Sequence, residues 1–520
     1  MQNKIKLILL STVFSTGAGV LIMEVAAVRL LAPYFGSSLY VLSSVLTVVL
    51  LALSMGYYYG GKLSDKLPYH LPLYMIITMG GFSLLSLSFC ALIFLPSAGP
   101  AMPLMVGPLF FSICFFFIPA LLLGIDSPYV IKLLSQEVGL EESGGVVGAT
   151  FFWSTAGSIT GSLASGFFLI PTFGLIQTMT ATGLFFVLMG VIAGLSVRSL
   201  LRQSPNYDKR NDIPLQTPAI IMVTIAISLS YLLMTHTTHA NAVYEDDGYY
   251  SHIYIYDDEL NGRPVRYLKR DVNNSSAIHL DGDDLVYAYT KFAPLFSYLK
   301  PDAKNFLMLG GGSYTIPKAI HASYPEINID VVEIEPSLFE IAKKYFRLPD
   351  TDKITNHIND ARVYLQKSDK KYDVIYVDTF STGHFVPPHL ATKEYLELLK
   401  NTLNDDGVII INFIGTRPST DNRTMTGSFT KTVTSVFPKV DLYTAQPSAG
   451  RFPQNLMFVL RNNSDLPSFD EEVTIDIGDK DISLNSLQIE PDSLIKKADK
   501  IITDNQNPVE SLLLKERFLY

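Results

Sequence analysis

Seven apolar stretches, each near the ~20 residues that cross a bilayer as one helix, fill the first 235 residues of this chain. They fall near 6–33, 40–60, 72–95, 104–124, 147–170, 175–197 and 217–235. A chain with this pattern folds as a helical bundle in lipid, because a membrane core leaves no water to satisfy open backbone groups. Charge distribution agrees. Only 10 of the 40 Lys/Arg and 8 of the 49 Asp/Glu precede Tyr244, leaving 30 basic and 41 acidic residues, a net of −11, for the rest. The overall 17% of charged residues is therefore a local deficit, set against the ~25% usual in soluble domains. The acidic second part argues against a nucleic-acid partner. The two cysteines, Cys90 and Cys114, both lie in apolar runs, so no cysteine framework or cysteine metal site is available to the second part.

Basic residues orient the spans. Lys4 and Lys6 precede the first, Lys62 and Lys66 follow the second, Lys132 follows the fourth, and Arg198, Arg202, Lys209 and Arg210 follow the sixth. The loops at 34–39, 96–103 and 171–174 carry no Lys or Arg. By the positive-inside rule the N-terminus is expected in the cytoplasm of a multi-pass inner-membrane protein. The first apolar run continues past Gly17-Ala18-Gly19 and reads as a retained helix rather than a cleaved signal. A seventh crossing places the soluble part on the outer face, away from cytosolic nucleotides; six crossings place it inside. The regular alternation favours the outer face. Glu24 and Arg29 lie within the first span and Asp126 ends the fourth; they read either as an ion or ligand path or as structural pairs and interfacial end residues. Gly157 and Gly161 have the spacing of closely packed membrane helices. Gly61-Lys-Leu-Ser-Asp-Lys66 resembles the loop motif of major-facilitator transporters over six residues, and six spans are half of such a transporter.

Three regions are expected: a transmembrane bundle over 1–234, a linker with a small β-hairpin layer over 235–304, and an α/β Rossmann-type domain over 305–520. Segments 251–256 and 263–269 alternate and carry β-branched and aromatic residues, with Asn261-Gly262 as the turn between them. From Asn305 the pattern becomes strand 306–309, helix 315–322, strand 330–334, helix 337–346 with Ser337 as N-cap, strand 372–377, helix 392–403 and strand 408–413. This alternation predicts a parallel doubly wound sheet.

Ligands of such sheets bind beyond the carboxyl ends of the strands. Gly310, Gly311, Gly312, Glu333, Asp360 and Asp378 all fall there. Glycines admit close approach of backbone to ligand. A carboxylate ending the second strand suits both ribose hydroxyls, and Asp360 suits an adenine amino group. No Gly-x-x-x-x-Gly-Lys-Ser/Thr motif is present, and Thr315 breaks the dinucleotide pattern Gly-x-Gly-x-x-Gly. An adenosyl sulfonium is the expected ligand, with no metal.

At these residues the chain resembles the spermidine synthase family of aminopropyltransferases, in its membrane-fused branch. The resemblance rests on Met308-Leu-Gly-Gly-Gly312, Val332-Glu-Ile-Glu-Pro336, Asn359-Asp-Ala361 and Tyr372-Asp-Val-Ile-Tyr-Val-Asp378, in order and spacing. Leu285-Val-Tyr-Ala-Tyr289 and Pro294-Leu-Phe296 add to it upstream, as do Glu24-Val-Ala-Ala-Val-Arg29 and the glycine-rich fifth span. It covers about 248–460 and implies a methyltransferase-like Rossmann domain. The implied reaction moves an aminopropyl group from decarboxylated S-adenosylmethionine to an amine such as putrescine. The resemblance gives Glu333 the ribose, Asp360 the adenine, Asn274 a further ligand contact, and Asp378 the role of base on the attacking amine. Two positions depart from it: Ser313 and Ser381 stand where the family has acids that hold substrate amino groups. Ser313, Ser381 and His384 are therefore candidate substrate contacts of an altered acceptor site, and His384 and His389 could supply another acid or base. The readings are a membrane-tethered transferase using S-adenosylmethionine or its decarboxylated form, a polyamine or nucleoside transporter or sensor whose second part only binds ligand, or a methyltransferase or lyase. Expected partners are the lipid bilayer, a small polyamine-like or adenosyl ligand, and a second copy of the chain in a homodimer.

Overall fold

The computed structural model describes residues 2–36, 38–99, 101–103, 106–138, 143–203, 216–235, 241–271, 273–380, 386–416, 424–450, 452–466, 468–470, 472–477, 480–496, 498, 500 and 501–518. The chain divides into two compact units, Met1–Ala240 and Asn241–Tyr520.

The first unit is helical: α1 (Gln2–Phe35), α2 (Leu39–Lys66), α3 (His70–Ala98), α4 (Gly107–Gly124), α5 (Asp126–Val138), α6 (Ser143–Ala164), α7 (Ile170–Phe173), α8 (Leu175–Leu201) and α9 (Gln216–Thr235). Among the described residues, six helical runs are long and apolar enough to cross a membrane, by length and composition. The seventh expected stretch is α9, whose apolar side chains are described over Met222–Leu233. The principal helix pairs are α1 with α6, α3 with α8, and α2 with α4. Gly157 and Gly161 fulfil the packing expectation: a Cβ at either would overlap a backbone carbonyl of α1, at Phe14 or Ala18. Only hydrogen side chains let the two helices approach this closely. Asp126 stands, as expected, at the end of the fourth apolar helix: α4 closes at Gly124 and Asp126 opens α5. It is 1% exposed.

The second unit opens with a four-stranded antiparallel sheet, β1 (Ala242–Asp247), β2 (His252–Leu260), β3 (Arg263–Arg270) and β4 (Asn273–His279), in sequential order. The expected hairpin is its centre. Leu260 pairs with Arg263, and both turn residues, Asn261 and Gly262, take positive φ, as a two-residue turn requires. The outer strands were hidden in sequence by polar runs: β1 ends Glu245-Asp-Asp247 and β4 begins Asn273-Asn-Ser-Ser276.

The main sheet holds β5 (Asn305–Leu309), β6 (Asn328–Glu333), β7 (Ile354–Ile358), β8 (Tyr372–Val377), β9 (Leu403–Gly415), β10 (Lys439–Thr444) and β11 (Gln454–Arg461), in the order β10-β11-β9-β8-β5-β6-β7. Strands β5 to β9 run parallel, but β11 pairs antiparallel with both β9 and β10. The sheet is thus mixed, correcting the all-parallel expectation: a hairpin-like return closes one edge. Between the strands run α10 (Phe296–Leu299, before β5), α11 (Thr315–Ser323), α12 (Leu338–Tyr345), α13 (Ala361–Lys367), α14 (Lys393–Thr402) and α15 (Met425–Val436). Thr392 caps α14 through the Tyr395 N–H. Ser337 does not cap α12: its backbone is already helical, and its hydroxyl donates to Glu335 instead, at 3.3 Å.

Both sheets feed one hydrophobic core. Ile253, Ile255, Leu268 and Ile278 of the small sheet belong to the same buried cluster as Phe306, Met308, Val331 and Val374 of the large one. Beside that core, Asp330 of β6 gathers three donors: Lys370 at 2.6 Å, Tyr372 at 2.8 Å and His357 at 3.0 Å. Burial alone would raise its carboxyl, but these bonds outweigh burial and hold it below the usual range. Its contribution to stability is therefore present above the ordinary value of 3.8 and lost as pH falls through the lower folded value. Replacing Asp330 by Ala strands the three donors and is expected to cost about 3 kcal/mol, read from denaturant unfolding of the second unit.

Candidate functional site

The site is built on the ends of β5, β6 and β8, with β7 and β9 supplying its flanks. Leaving β5, the chain enters Gly310-Gly-Gly312. Gly310 has φ +92° and Gly312 +54°, the left-handed region that a side chain resists. At Gly310 space forbids one as well, because a Cβ would overlap the Asp378 carbonyl oxygen. The Asp378 N–H donates in turn to the Leu309 carbonyl at 2.8 Å. The ends of β5 and β8 are therefore in direct backbone contact.

Glu333, the last residue of β6, is 3% exposed. One of its carboxylate oxygens accepts from the Gly311 N–H at 2.8 Å and the Gly312 N–H at 3.0 Å, and the other accepts from the Glu335 N–H at 3.0 Å. This carboxylate fixes the glycine loop, a duty that no local pattern signals. The oxygen that accepts only from Glu335 keeps a second lone pair, so a ribose hydroxyl remains chemically acceptable there. Two residues on, buried Glu335 accepts the N–H groups of Tyr249 at 3.2 Å and Tyr250 at 2.8 Å. It fastens the turn between β1 and β2 to the loop after β6.

Asp360 follows β7 and is the N-cap of α13. One oxygen accepts from the Arg362 N–H at 2.9 Å and the Val363 N–H at 3.0 Å, and the other faces His389 Nε2 at 3.0 Å. The hydrogen bond from His389 is the main cause of a carboxyl held below its usual range. An adenine amino group would meet the oxygen that His389 now occupies.

Asp378 follows β8. Asn412 of β9 donates to its Oδ1 at 2.8 Å, and Asn412 is itself held by Asn455 of β11 at 2.9 Å. The Tyr289 hydroxyl lies within hydrogen-bond reach of Asp378 and 3.4 Å from the Ser275 carbonyl; its single proton serves one acceptor at a time. Loss of hydration pushes the Asp378 carboxyl up to about 6, against the lowering influence of Asn412 and Tyr289; the negative charge of Glu333 adds to the rise. Asn412 interrupts the run Val408-Ile-Ile-Ile-Asn412-Phe413, and a lone amide in a buried strand was the available sequence signal for it.

The remaining candidates divide. Ser313 is 1% exposed; its N–H donates to Ser276 at 3.3 Å, and its own hydroxyl oxygen has no partner among the described residues. Asn274 is an exposed residue of β4 that accepts from the Tyr256 hydroxyl at 3.0 Å. Ser381 and His384 lie outside the described residues. No group of three or more His, Cys, Asp or Glu among the described residues could hold a metal ion.

Comparison with known proteins accords with this geometry. Residues 292–463 match the spermine/spermidine synthase domain. A polyamine aminopropyltransferase of Vibrio vulnificus is 36% identical over 143 residues, which cover 27% of this chain and 47% of that one. An N-terminal histidine N-methyltransferase of Emericella nidulans is 36% identical over 153 residues, 28% of this chain and 26% of its own. Polyamine aminopropyltransferase 1 of Streptomyces coelicolor is 24% identical over 432 residues, 78% of this chain and 75% of its own. The first two matches span less than two thirds of those relatives. The third is longer than the second unit and therefore runs into the helical one. Residues 292–463 of the second unit thus carry a domain similar to that of the spermine/spermidine synthases.

The amide beside Asp378 gives a direct test. A carboxyl raised in the folded state loses stability as pH climbs from the ordinary 3.8 to about 6. Asn412→Leu removes a lowering influence, so the Asp378 titration is expected to move above about 6 and this window to widen upward. Carbon-13 NMR of the Asp side-chain carboxyls, with Asp378→Asn identifying the resonance, checks it.

Proposed function

We propose that the protein is a membrane-anchored transferase of spermidine-synthase type, acting on decarboxylated S-adenosylmethionine or S-adenosylmethionine, with an altered amine-acceptor site. The observation that carries this reading is Asp378: a poorly hydrated carboxyl near 6, braced by Asn412, at the end of the strand beside the glycine loop. A donor of this class supplies, when bound, a sulfonium-activated carbon. The chain's own part is to bind and to move a proton. Gly310–Gly312 and Glu333 would hold the adenosyl ribose, and Asp360 the adenine once His389 gives up its oxygen. An acceptor amine arrives as an ammonium without a lone pair. Asp378, ionised above about pH 6, accepts that proton and leaves the nitrogen free to attack. Tyr289 and Asn412 hold the carboxylate in place. The six apolar helices support membrane anchoring.

Ser313 supports an acceptor unlike the family's diamine. A neutral hydroxyl, buried and without a partner among the described residues, stands where a carboxylate would hold an ammonium, and it favours a neutral or shorter acceptor. The same feature favours a second reading, methyl transfer, in keeping with the match to a histidine methyltransferase.

Purified protein incubated with each donor, with and without amines, separates the readings. Methylthioadenosine formed only when amine is present supports aminopropyl transfer; S-adenosylhomocysteine supports methyl transfer; binding without turnover removes both. Asp378→Asn is expected to lower turnover by about 10²–10⁴-fold while leaving donor affinity, read by calorimetry, nearly unchanged. Undiminished product release by this variant would take the base role away from Asp378. The acid limb of the wild-type pH–rate profile is expected near the Asp378 value of about 6.

A further inference from the structure

We infer that the helical unit carries a proton-binding site centred on Asp126 and approached along α3 past His70 and Tyr74. The inference concerns the first unit alone and does not rest on the transferase reading.

Asp126 opens α5 and is 1% exposed. Its Oδ2 accepts from the Thr16 hydroxyl of α1 at 2.5 Å, and its Oδ1 is buried with no partner among the described residues. No described basic side chain pairs with it. Lys132, on the same helix, is engaged with Asp65 of α2 at 2.6 Å. From α3, Tyr74 is electrostatically coupled to Asp126 and lies beside Thr12 of α1. The Thr12 proton is already given to the Ile8 carbonyl at 2.8 Å, so Thr12 can only accept from Tyr74. Even so, the Tyr74 hydroxyl, on a residue 1% exposed, makes no hydrogen bond of good geometry. His70 begins α3 one turn before Tyr74, on the same helix face, and its Nε2 is likewise buried and without a partner.

Three groups that can give or take a proton thus each keep an unspent buried atom. An ionised carboxylate enclosed by helices and lacking a cation costs several kcal/mol. Some positive species must relieve it. A metal cation needs about six oxygen ligands, whereas no metal-holding group of side chains occurs among the described residues. A proton needs one oxygen and no cavity. The Thr16 hydroxyl donates to one oxygen and leaves the other, Oδ1, to carry the proton. Tyr74 and His70 carry the proton between Asp126 and the end of α3 that neighbours Lys66.

Dicyclohexylcarbodiimide, which modifies protonated carboxyls in apolar surroundings, tests this on the full chain. In detergent or lipid nanodiscs, mass spectrometry is expected to find Asp126 modified at acid pH and progressively spared as pH rises. Tyr74→Phe, which keeps the ring and removes only the hydroxyl, is expected to shift the pH of half-modification. Asp126→Asn is expected to remove the label from that position, while Asp65→Asn leaves the Asp126 labelling profile unchanged. Absence of modification at every pH, modification independent of pH, or a half-modification pH unmoved by Tyr74→Phe would overturn the inference. The labelling reads the site whether or not the helices lie in a bilayer.

Discussion

Three backbone N–H groups converging on Glu333 hold the candidate site together. The carboxylate ends β6, ties down Gly311 and Gly312 after β5, and fixes the start of the Glu335 turn. Charge-assisted bonds of this kind are the stronger sort. With the loop fixed, Gly310 can sit against the Asp378 backbone, and the ends of β5, β6 and β8 become one rigid surface. Asp378 inherits its position, its poor hydration and its neighbourly repulsion from Glu333 through this arrangement. One buried anion thus organises the place where a second, Asp378, is held.

Much of this was legible in the sequence because period and punctuation carried it. The apolar stretches, the Asn261-Gly262 turn, the glycine run after β5 and the carboxylates after β6, β7 and β8 all follow from local rules. What escaped was non-local. Strand β7 is short and half polar, and β10 and β11 pair antiparallel at an edge where no local pattern marks direction. Ser337 looked like a cap because residue type says nothing of its competing partner, Glu335. Asn412 and Tyr289 reach Asp378 from distant segments, with Asn455 holding Asn412 from behind, and only the tertiary fold brings them together.

The two units handle buried charge differently. Asp330 is buried with three donors and Glu333 with three N–H groups, so each is satisfied and structural. Asp378 has donors but still sits near 6. Asp126 has one donor and one bare oxygen. Ranked by how completely their oxygens are engaged, these carboxyls pass from scaffold to chemistry.

The shared core beneath the two sheets has a consequence for how the chain can be divided. Ile253, Ile255, Leu268 and Ile278 bury their side chains together with residues of β5, β6 and β8. The small sheet is thus half of the core's enclosure, not a lid resting on a finished domain. A fragment beginning at Asn305 would present a raw apolar face to water, leave Glu335 without the Tyr249 and Tyr250 N–H groups and invite aggregation. The compact unit begins at Asn241, and any engineering that moves the Rossmann-type fold elsewhere must carry the small sheet with it.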